Sequence, residues 1–375
     1  MATISGECGA TFDEVRSLLS ASIDSGDDVG ASVCVIHQGR TVVDLWGGVA
    51  DVESGRPWER DTIINVFSTT KTMTALAALL LIDRGELDPT APVATYWPEF
   101  GANGKAEVTV AQLMSHTSGV SGWQEPISLE GIYDAAASSA ALAAQAPWWE
   151  PGTASGYHAV NQGHLIGEVI RRITGQSLGT FFRQEIAEPT GADFFIGTPA
   201  SEDHRIAALI SPTSVDIDFS AADPHSVQIK TLTNPFLLVS QVGSRGWRGA
   251  EIGAANGHGN ARSVATAQAV VSHSDSRFLS SKTIDRIFDI HADGRDLVLG
   301  IPMRFGLGYG LVNSSTPELP SGHVCWWTGY GGSLVVNDLD RQLTFAYVMN
   351  KMGPSLIGLG RAARYLSSVY KALGA

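Results

Sequence analysis

The chain has 375 residues, of which 44% are hydrophobic and 17% charged, so a large folded core is expected and disorder is not. Its formal net charge of -13 argues against binding to nucleic acid or to an anionic membrane. The cysteines Cys8, Cys34 and Cys325 are too few and too scattered for a disulfide framework or a zinc site, and predict free thiols in a reducing compartment.

The first part of the chain predicts a helix, a β-hairpin and a second, more apolar helix. Apolar residues at helical spacing run from Thr11 to Ile23. Two β-rich runs, Ala31 to His37 and Thr41 to Trp46, flank the hairpin signal Gln38-Gly39-Arg40. A buried helix is then expected from Ser68 to about Asp83, because the run after Thr74 is almost entirely apolar.

The middle of the chain is predicted to be mainly helical, and its last part returns to strands. Helices are expected over Thr109 to Met114, Tyr133 to Gln145, Asn161 to Thr174, Leu178 to Ile186, Ser263 to Ser272 and Lys282 to Phe288. Residues 198–227 are polar and predict irregular structure. Strands are expected over Phe305 to Val312, His323 to Thr328, Ser333 to Val336 and Leu343 to Asn350, with a closing helix over Leu356 to Leu373.

This order of elements predicts an α+β fold. Strands lie at both ends of the chain, so one antiparallel sheet is expected to combine them, with the terminal helices against it. Residues 1–84 and 295–375 would then form an α/β domain, and residues 85–294 a mainly helical inserted domain. A cleft between the two parts is the expected place for a site.

The stretch from Phe67 to Thr74 carries the first chemical signal. Ser68 lies at the start of the apolar helix, and Lys71 follows three residues later on the same face. A serine there is often only a cap, but a lysine on an apolar helix needs a partner or a task because burying an ammonium is costly. Ser-x-x-Lys is therefore a candidate nucleophile and base.

Two further stretches could meet this helix at the boundary between sheet and insertion. One precedes the Asn161 helix, and the other lies on a late strand and its turn. They read Ser155-Gly156-Tyr157-His158-Ala159 and Trp327-Thr328-Gly329-Tyr330-Gly331-Gly332-Ser333.

This ordered trio resembles the serine β-lactamase and penicillin-binding-protein superfamily. More narrowly, it resembles the family VIII carboxylesterases, which share the class C β-lactamase fold. The resemblance extends from about Val29 to Met352. Supporting stretches are Leu113-Met114-Ser115-His116-Thr117-Ser118-Gly119, Gly163-His164-Leu165-Ile166-Gly167-Glu168-Val169-Ile170 and Phe345-Ala346-Tyr347-Val348-Met349-Asn350.

The resemblance implies catalytic roles for three side chains. Ser68 would be the nucleophile, Lys71 its base or proton partner, and Tyr157 a second base or a relay to the leaving group. A lysine needs a lowered pKa for this role, and the phenol of Tyr157 needs a cationic neighbour, for which Lys71 is the obvious candidate. The oxyanion hole would consist of the backbone N–H groups of Ser68 and Tyr330.

Two departures from the lactamase pattern favour the esterase branch. Ala159 stands where lactamases have the asparagine of Tyr-x-Asn, and Trp327 replaces the lysine of Lys-Thr-Gly. Both changes remove groups that would hold the amide and carboxylate of a lactam. A Trp-x-Gly third motif is typical of the esterases that this sequence resembles.

A second serine motif, Gly175-Gln176-Ser177-Leu178-Gly179, matches the Gly-x-Ser-x-Gly nucleophile elbow. That elbow requires a strand before the serine and a helix after it. The residues before Ser177 have helical spacing and paired arginines, so Ser177 is predicted to open a helix instead.

Other residues are assigned on weaker grounds. His116 is predicted to support the site through hydrogen bonds, and His258 is either such a support or part of the cleft. Aromatic residues near the motifs are the expected cleft walls, which would favour neutral substrates with apolar acyl or aryl groups. The predicted substrate-binding residues are Trp123, His258, Trp327, Gly329 and Tyr330.

These observations predict a serine carboxylesterase that hydrolyses short-chain or aryl neutral esters through an acyl-enzyme on Ser68. Alternatives on the same fold are a small-amide hydrolase or peptidase, an acyltransferase, and a non-catalytic binding protein. No cofactor and no metal are expected, because no usual spacing of metal ligands is found. The partner would be a small ester, with the chain as monomer or homodimer. Residues 1–9 lack the features of a signal peptide and no apolar run has membrane-spanning length, so a cytoplasmic location is expected.

Overall fold

The computed structural model of the chain describes residues 1–216, 223–273 and 277–374. Part of the region predicted to be irregular, residues 217–222, therefore lies outside the described residues. The strands are β1 Ile4–Cys8, β2 Gly30–His37, β3 Arg40–Asp51, β4 Arg56–Pro57, β5 Ile64–Asn65, β6 His258–Gly259, β7 Ala292–Arg295, β8 Pro302–Phe305, β9 Gly310–Leu311, β10 Val324–Thr328, β11 Leu334–Asp338 and β12 Leu343–Met349.

The helices alternate with short 3₁₀ turns, one of which, Phe67–Thr69, leads directly into α2. They are α1 Asp13–Ser25, α2 Thr70–Asp83, α3 Val110–Met114, α4 Leu129–Tyr133, α5 Ala135–Ala144, α6 Gln162–Thr174, α7 Leu178–Phe182, α8 Glu188–Thr190, α9 Val227–Thr233, α10 Val239–Val242, α11 Arg245–Gly249, α12 Ala261–Ser272, α13 Ser281–Asp285 and α14 Ala362–Ala372.

Both ends of the chain contribute to one antiparallel sheet, as the sequence predicts. Its strand order is β1-β3-β2-β12-β11-β10-β9-β8-β7, with β4 paired to β3. The junction between the two ends is the pairing of β12 with β2, where Phe345 lies opposite Val35. The α+β fold class predicted from the sequence is therefore confirmed.

Helices cover both faces of this sheet. Thr344 on β12 bonds to Ser272 of α12, with their hydroxyl oxygens 2.6 Å apart. Tyr347, three residues along the same strand, points to the opposite face and stacks on Tyr365 of α14, with ring centroids 5.2 Å apart. Successive side chains of a strand alternate between faces, so one strand anchors both layers.

Helix α12 differs from the predicted domain plan. It lies within residues 85–294, but it packs on the sheet, where the Ala261 N–H donates to Ser32 Oγ at 3.1 Å. The short pairing of β5 with β6 also joins residues 64–65 to residues 258–259. The predicted insertion thus returns to the sheet before it ends, and the division at residues 85 and 295 itself stays a prediction.

Local backbone chemistry accounts for several differences from the predicted elements. The helix predicted from Tyr133 to Gln145 is two helices, because Asp134 has an extended backbone and caps α5 through the N–H groups of Ala136 and Ala137. The strand predicted from Phe305 to Val312 is interrupted at Gly308, whose φ is +85°. A Cβ there would approach Ala75 on α2 to 2.6 Å, so only glycine permits this packing.

Two sheet-edge strands were not predicted. Along β1, the exposed fraction alternates and its sequence contains glycine, serine and glutamate, so its hydrophobic signal is weak. The edge strand β7 is mostly exposed, and its sequence Ala-Asp-Gly-Arg likewise gives a weak hydrophobic signal. Within the described residues, no helix combines the length and the apolar character needed to cross a bilayer.

Candidate active site

Helix α2 positions the first pair of candidate residues. Its residues from Thr70 to Ile82 are all buried, which agrees with the apolar run in the sequence. Just before it, Phe67 has a φ of +45°, a left-handed backbone that non-glycine residues rarely adopt and that often marks functional sites. This bend leaves the Ser68 hydroxyl facing a cavity at the start of the helix.

The turn that holds Ser68 is fixed from behind by the loop at residues 254–257. The Val66 N–H donates to Gly257 O at 2.9 Å, and the Gly257 N–H donates to Thr70 Oγ1 at 2.9 Å. Asn65 Nδ2 donates to the Ala255 and Gly257 carbonyls at 2.9 and 3.1 Å. The glycine-rich segment therefore acts on the site through its backbone.

The Lys71 amine meets three oxygen atoms. Its Nζ lies 3.2 Å from Ser68 Oγ, 2.8 Å from the Ala159 carbonyl and 2.9 Å from the Ala254 carbonyl. Within the described part of the chain, no carboxylate forms an ion pair with it. Lys71 was expected to need a partner because it is buried, and its partners are two backbone carbonyls and a serine hydroxyl.

Burial without a counter-charge determines the protonation state of Lys71. Desolvation lowers the pKa of this amine well below the ordinary value of 10.5. A neutral amine has two N–H donors and one lone pair. The two carbonyls can accept the donors, which leaves the lone pair for the proton of Ser68. The neutral Lys71 amine can therefore accept the proton of the serine hydroxyl at pH values above its lowered pKa.

Tyr157 reaches the same place from a separate segment. Its backbone N–H donates to Asp296 Oδ1 at 3.1 Å. The ring of His116 packs edge-on against its ring, with centroids 5.0 Å apart, and His116 Nδ1 accepts the His158 N–H at 3.1 Å. Burial holds the pKa of His116 well below its ordinary value, so this ring is neutral. His116 thus has the supporting position that the sequence predicts.

The protonation of Tyr157 differs from the expectation that a Lys71 cation would lower its pKa. Burial raises the pKa of the phenol above 10.0, and the Ser68 hydroxyl and the Trp327 indole only partly oppose this rise. The Lys71 Nζ lies over the ring face, 4.6 Å from its centroid. Tyr157 is therefore a protonated donor in the free protein, next to a neutral amine.

The third motif is joined to the Ser68 turn by a short chain of hydrogen bonds. Ser333 Oγ lies 2.9 Å from Thr69 Oγ1 and donates to the Val66 carbonyl at 2.8 Å. A Cβ at Gly329 would overlap the same carbonyl, so only glycine allows β10 to come this close. The glycine of Trp327-Thr328-Gly329 thus allows the backbone that follows β10 to lie against the backbone of the turn that holds Ser68.

Two backbone N–H groups are available at this approach. The neighbouring N–H groups of Gly329 and Gly331 donate to Ser333 O at 2.8 Å and Ser355 O at 3.2 Å. Among the described residues, the N–H groups of Ser68 and Tyr330 have no such acceptor. The rings of Phe67 and Tyr330 pack edge-to-face at 5.5 Å and link their two segments. A pair of free donors beside a hydroxyl can bind an oxyanion.

The cavity in front of Ser68 has a volume of about 550 Å³. Its described lining carries no charged side chain and is mostly apolar. The lining residues are Phe67, Ser68, Tyr157, Ala159, Val160, Ser211, Pro212, Val215, Thr231, Leu232, Pro235, Phe236, Leu237, Leu238, Val239, Ser240, Val242, Ala255, Tyr330 and Leu356. Such a wall suits a neutral ligand with apolar groups.

Of the five predicted substrate-binding residues, Tyr330 lines this cavity and the other four do not. Trp327 is buried behind Tyr157, with ring centroids 5.4 Å apart, and Gly329 serves backbone approach. Trp123 is buried, and its indole donates to Ser138 O at 3.2 Å. His258 lies in a separate small cavity, where its Nδ1 bonds to Asn256 O at 2.8 Å.

The alternative serine motif has the structure of a helix cap. Ser177 follows α6 and opens α7, where its Oγ accepts the Thr180 N–H at 3.3 Å. The hydroxyl also donates to Glu251 at 2.8 Å. No strand precedes this serine, so the nucleophile-elbow geometry is missing there, as the sequence predicts.

Asp296 belongs to the site and was not predicted. Its Oδ1 accepts the N–H groups of Tyr157 at 3.1 Å, Val298 at 2.9 Å and Leu299 at 2.8 Å. Its other oxygen is buried and has no hydrogen-bond partner among the described residues. No motif surrounds this aspartate, because it acts on a segment 139 residues away in the sequence.

Asp296 is expected to position Tyr157. In Asp296→Ala, buried donors lose their acceptor and the Tyr157 segment shifts, so kcat should fall about 10- to 10²-fold. Asp296→Asn keeps an acceptor at Oδ1 and is the matched control, with most of the kcat retained. Steady-state kinetics and thermal unfolding of both variants would check this. A normal kcat in Asp296→Ala would contradict the positioning role.

Comparisons with known proteins agree with this geometry. Residues 15–368 match the protein family described as Beta-lactamase. The chain is 33% identical over 342 residues to the esterase/β-lactamase LipL of Mycobacterium tuberculosis, across 88% of this chain and 78% of that protein. It superposes on the crystal structure of a family VIII carboxylesterase with a TM-score of 0.92 and 39% identity, covering 99% of this chain and 100% of that one. For EstA from Arthrobacter nitroguajacolicus Rue61a the TM-score is 0.87 and the identity 31%, with 100% and 99% covered. The chain therefore belongs to the β-lactamase family and is a serine hydrolase of its esterase/β-lactamase type.

Proposed function

We propose that this protein is a carboxylesterase that cleaves neutral esters through an acyl-enzyme on Ser68. The observation that carries this proposal is the 3.2 Å contact between a desolvated Lys71 amine and the Ser68 hydroxyl, at the edge of an uncharged cavity. The family VIII carboxylesterase, which covers 99% of this chain at 39% identity, and the esterase/β-lactamase LipL, which covers 88% at 33% identity, support the same activity.

In acylation, Ser68 Oγ attacks the ester carbonyl carbon while its proton passes to the lone pair of Lys71 Nζ. The carbonyl oxygen becomes an oxyanion, which accepts hydrogen bonds from the backbone N–H groups of Ser68 and Tyr330. These donors are fixed before the substrate arrives, so little reorganisation is needed as the charge develops.

Collapse of this intermediate breaks the bond between the carbonyl carbon and the alcohol oxygen. Tyr157 is protonated in the free protein, so its O–H donates the proton that the departing alkoxide needs, and the proton on Lys71 restores the phenol. Water then attacks the acyl carbonyl and gives its proton to Lys71 Nζ, which is neutral again while Tyr157 is protonated, and this proton passes to Ser68 Oγ as the bond between Oγ and the acyl carbon breaks. The carboxylic acid leaves, and Ser68 is regenerated.

The cavity favours esters over β-lactams. A penicillin or cephalosporin carries a carboxylate, which needs a cationic or strongly donating partner when it is taken out of water. The described lining residues carry no positive charge, and Ala159 and Trp327 replace the polar residues of the lactamase motifs. An amide is also a harder substrate than an ester here, because its leaving group is more basic.

A substrate panel tests this proposal with one purified sample. We expect hydrolysis of p-nitrophenyl acetate and butyrate, with kcat/KM at least about 10³-fold below this for the matched anilides and for a chromogenic cephalosporin, a difference of about 4 kcal/mol in the barrier. A fluorophosphonate probe should label Ser68. Cephalosporin turnover equal to ester turnover would replace the proposal with a lactamase, and absence of the adduct would favour a binding protein.

A further inference from the structure

Exposed apolar side chains gather at the mouth of the Ser68 cavity. Among the described residues, the large hydrophobic ones with high exposure are Met1, Val52, Val215, Phe236, Leu238, Ile290 and Leu297. Three of these line the cavity, namely Val215, Phe236 and Leu238, with exposed fractions of 48%, 58% and 49%. The other four lie outside it, and Val215, Phe236 and Leu238 form a group of exposed apolar side chains where a substrate would enter.

The loop between α9 and α10 supplies most of this rim. Its sequence from Pro235 to Leu238 is an unbroken apolar run, which is unusual for a loop that faces solvent. The loop is held in place by Asn234, whose Nδ2 donates to the carbonyls of Trp123 at 2.8 Å and Glu125 at 2.9 Å. Its Oδ1 accepts the Ile127 N–H at 2.9 Å. The apolar side chains are therefore presented from an anchored backbone.

The rim is continuous with the reacting atoms. Val160, Leu232 and Val242 are buried or half-buried and line the same cavity as Ser68 and the exposed rim. No charged side chain interrupts this path among the described lining residues. An alkyl chain attached to a carbonyl at Ser68 could thus leave water along its whole length.

We propose that Val215, Phe236 and Leu238 form a binding site for an alkyl chain of the ester longer than that of a butyrate. This inference rests on the proposed esterase function, and it changes the expected substrate class from short esters to medium-chain ones. Each methylene that becomes fully buried is expected to raise kcat/KM up to about fourfold, which corresponds to about 0.8 kcal/mol.

The test measures kcat/KM for two ester series. One series lengthens the acyl chain of p-nitrophenyl esters from acetate to decanoate, and the other lengthens the alcohol of alkyl acetates from ethyl to decyl. Substrate concentrations run from below to above each critical micelle concentration, and kcat/KM is taken from the range below it. The variants are Phe236→Ala with Leu238→Ala, and the matched control is Ile290→Ala, an equally exposed residue outside the cavity.

We expect kcat/KM to rise beyond butyrate in one of the two series, which also identifies the half of the ester that occupies the rim. The double variant should lose at least about fivefold on octanoyl or octyl substrates and less than about twofold on ethyl acetate, both halves of which are short. The Ile290→Ala control should match the unchanged protein at every length.

Three outcomes would overturn the inference. One is a maximum at acetate or butyrate in both series, and another is an equal loss at all lengths in the double variant. The third is a gain that appears only above the critical micelle concentration, which would mean that the rim docks on aggregates. In each case, hydrolysis of p-nitrophenyl acetate that depends on Ser68 would leave the proposed esterase function standing.

Discussion

Ser68→Ala and Lys71→Ala are each expected to reduce the hydrolysis of p-nitrophenyl butyrate by about 10⁴- to 10⁶-fold, the loss typical when one member of a catalytic unit is removed. Without Ser68 no acyl-enzyme can form. Without Lys71 no group accepts the serine proton, because within the described residues its Nζ is the one amine bonded to Ser68 Oγ. Because both residues act in one step, the double variant should be no slower than either single variant.

Ser177→Ala is the matched control for these variants. It also removes a serine hydroxyl at a helix start, but this hydroxyl bonds to Glu251 and a helix N–H. Turnover should stay within about twofold, while the free energy of unfolding falls by about 1 kcal/mol through the lost cap. Circular dichroism and thermal unfolding would show that all variants are folded. Activity lost in Ser177→Ala and kept in Ser68→Ala would reverse the assignment.

The pH dependence of kcat/KM provides a second test of the role of Lys71. Burial lowers its pKa well below 10.5, so the amine is neutral above that lowered pKa and protonated below it. The value of kcat/KM should therefore rise as the pH increases through the lowered pKa and reach its plateau well before pH 10.5. An activity limb at the pKa of an ordinary lysine would mean that the resting amine is charged and cannot take the serine proton.

Tyr157→Phe is expected to lower kcat/KM for an alkyl ester by about 10²- to 10⁴-fold, the usual contribution of a general acid or base. The change removes only the hydroxyl, and the ring can still pack against His116 and Trp327. Since burial keeps the phenol protonated, its main task is to donate a proton to the departing alkoxide.

Two esters with different leaving groups distinguish the loss of this proton donor from a general structural defect in the variant. A p-nitrophenolate leaves without protonation, so Tyr157→Phe should slow p-nitrophenyl butyrate at least about tenfold less than ethyl butyrate. Both esters are measured with the same protein samples, so a different fraction of active enzyme in the variant changes both kcat/KM ratios equally and does not affect their comparison. Equal losses on both esters would contradict the role in leaving-group protonation, and near-normal turnover of ethyl butyrate would exclude any catalytic role.

Much of the fold could be predicted from the sequence because its signals are local. The hairpin at Gln38-Gly39-Arg40 and the helix at Asn161 follow from turn residues and hydrophobic period within a short window. The edge strand β1 could not be predicted, because its polar and apolar residues do not differ enough from a loop. It becomes a strand only through its pairing with β3.

The sequence by itself identified the three candidate groups, since Ser68, Lys71 and Tyr157 stand in motifs whose order and spacing resemble those of a known superfamily. Only the tertiary structure decided their protonation, because desolvation comes from residues packed around them and not from their neighbours in the chain. It also decided the cavity wall, because Trp327 is buried against Tyr157 and Trp123 is buried against His164, so that neither predicted aromatic residue lines the cavity. The wall instead consists largely of a loop near Phe236, which an anchor from Asn234 to the Trp123 carbonyl brings to the site. Contacts across more than a hundred residues of sequence leave no periodic signal, so folding alone brings these groups together.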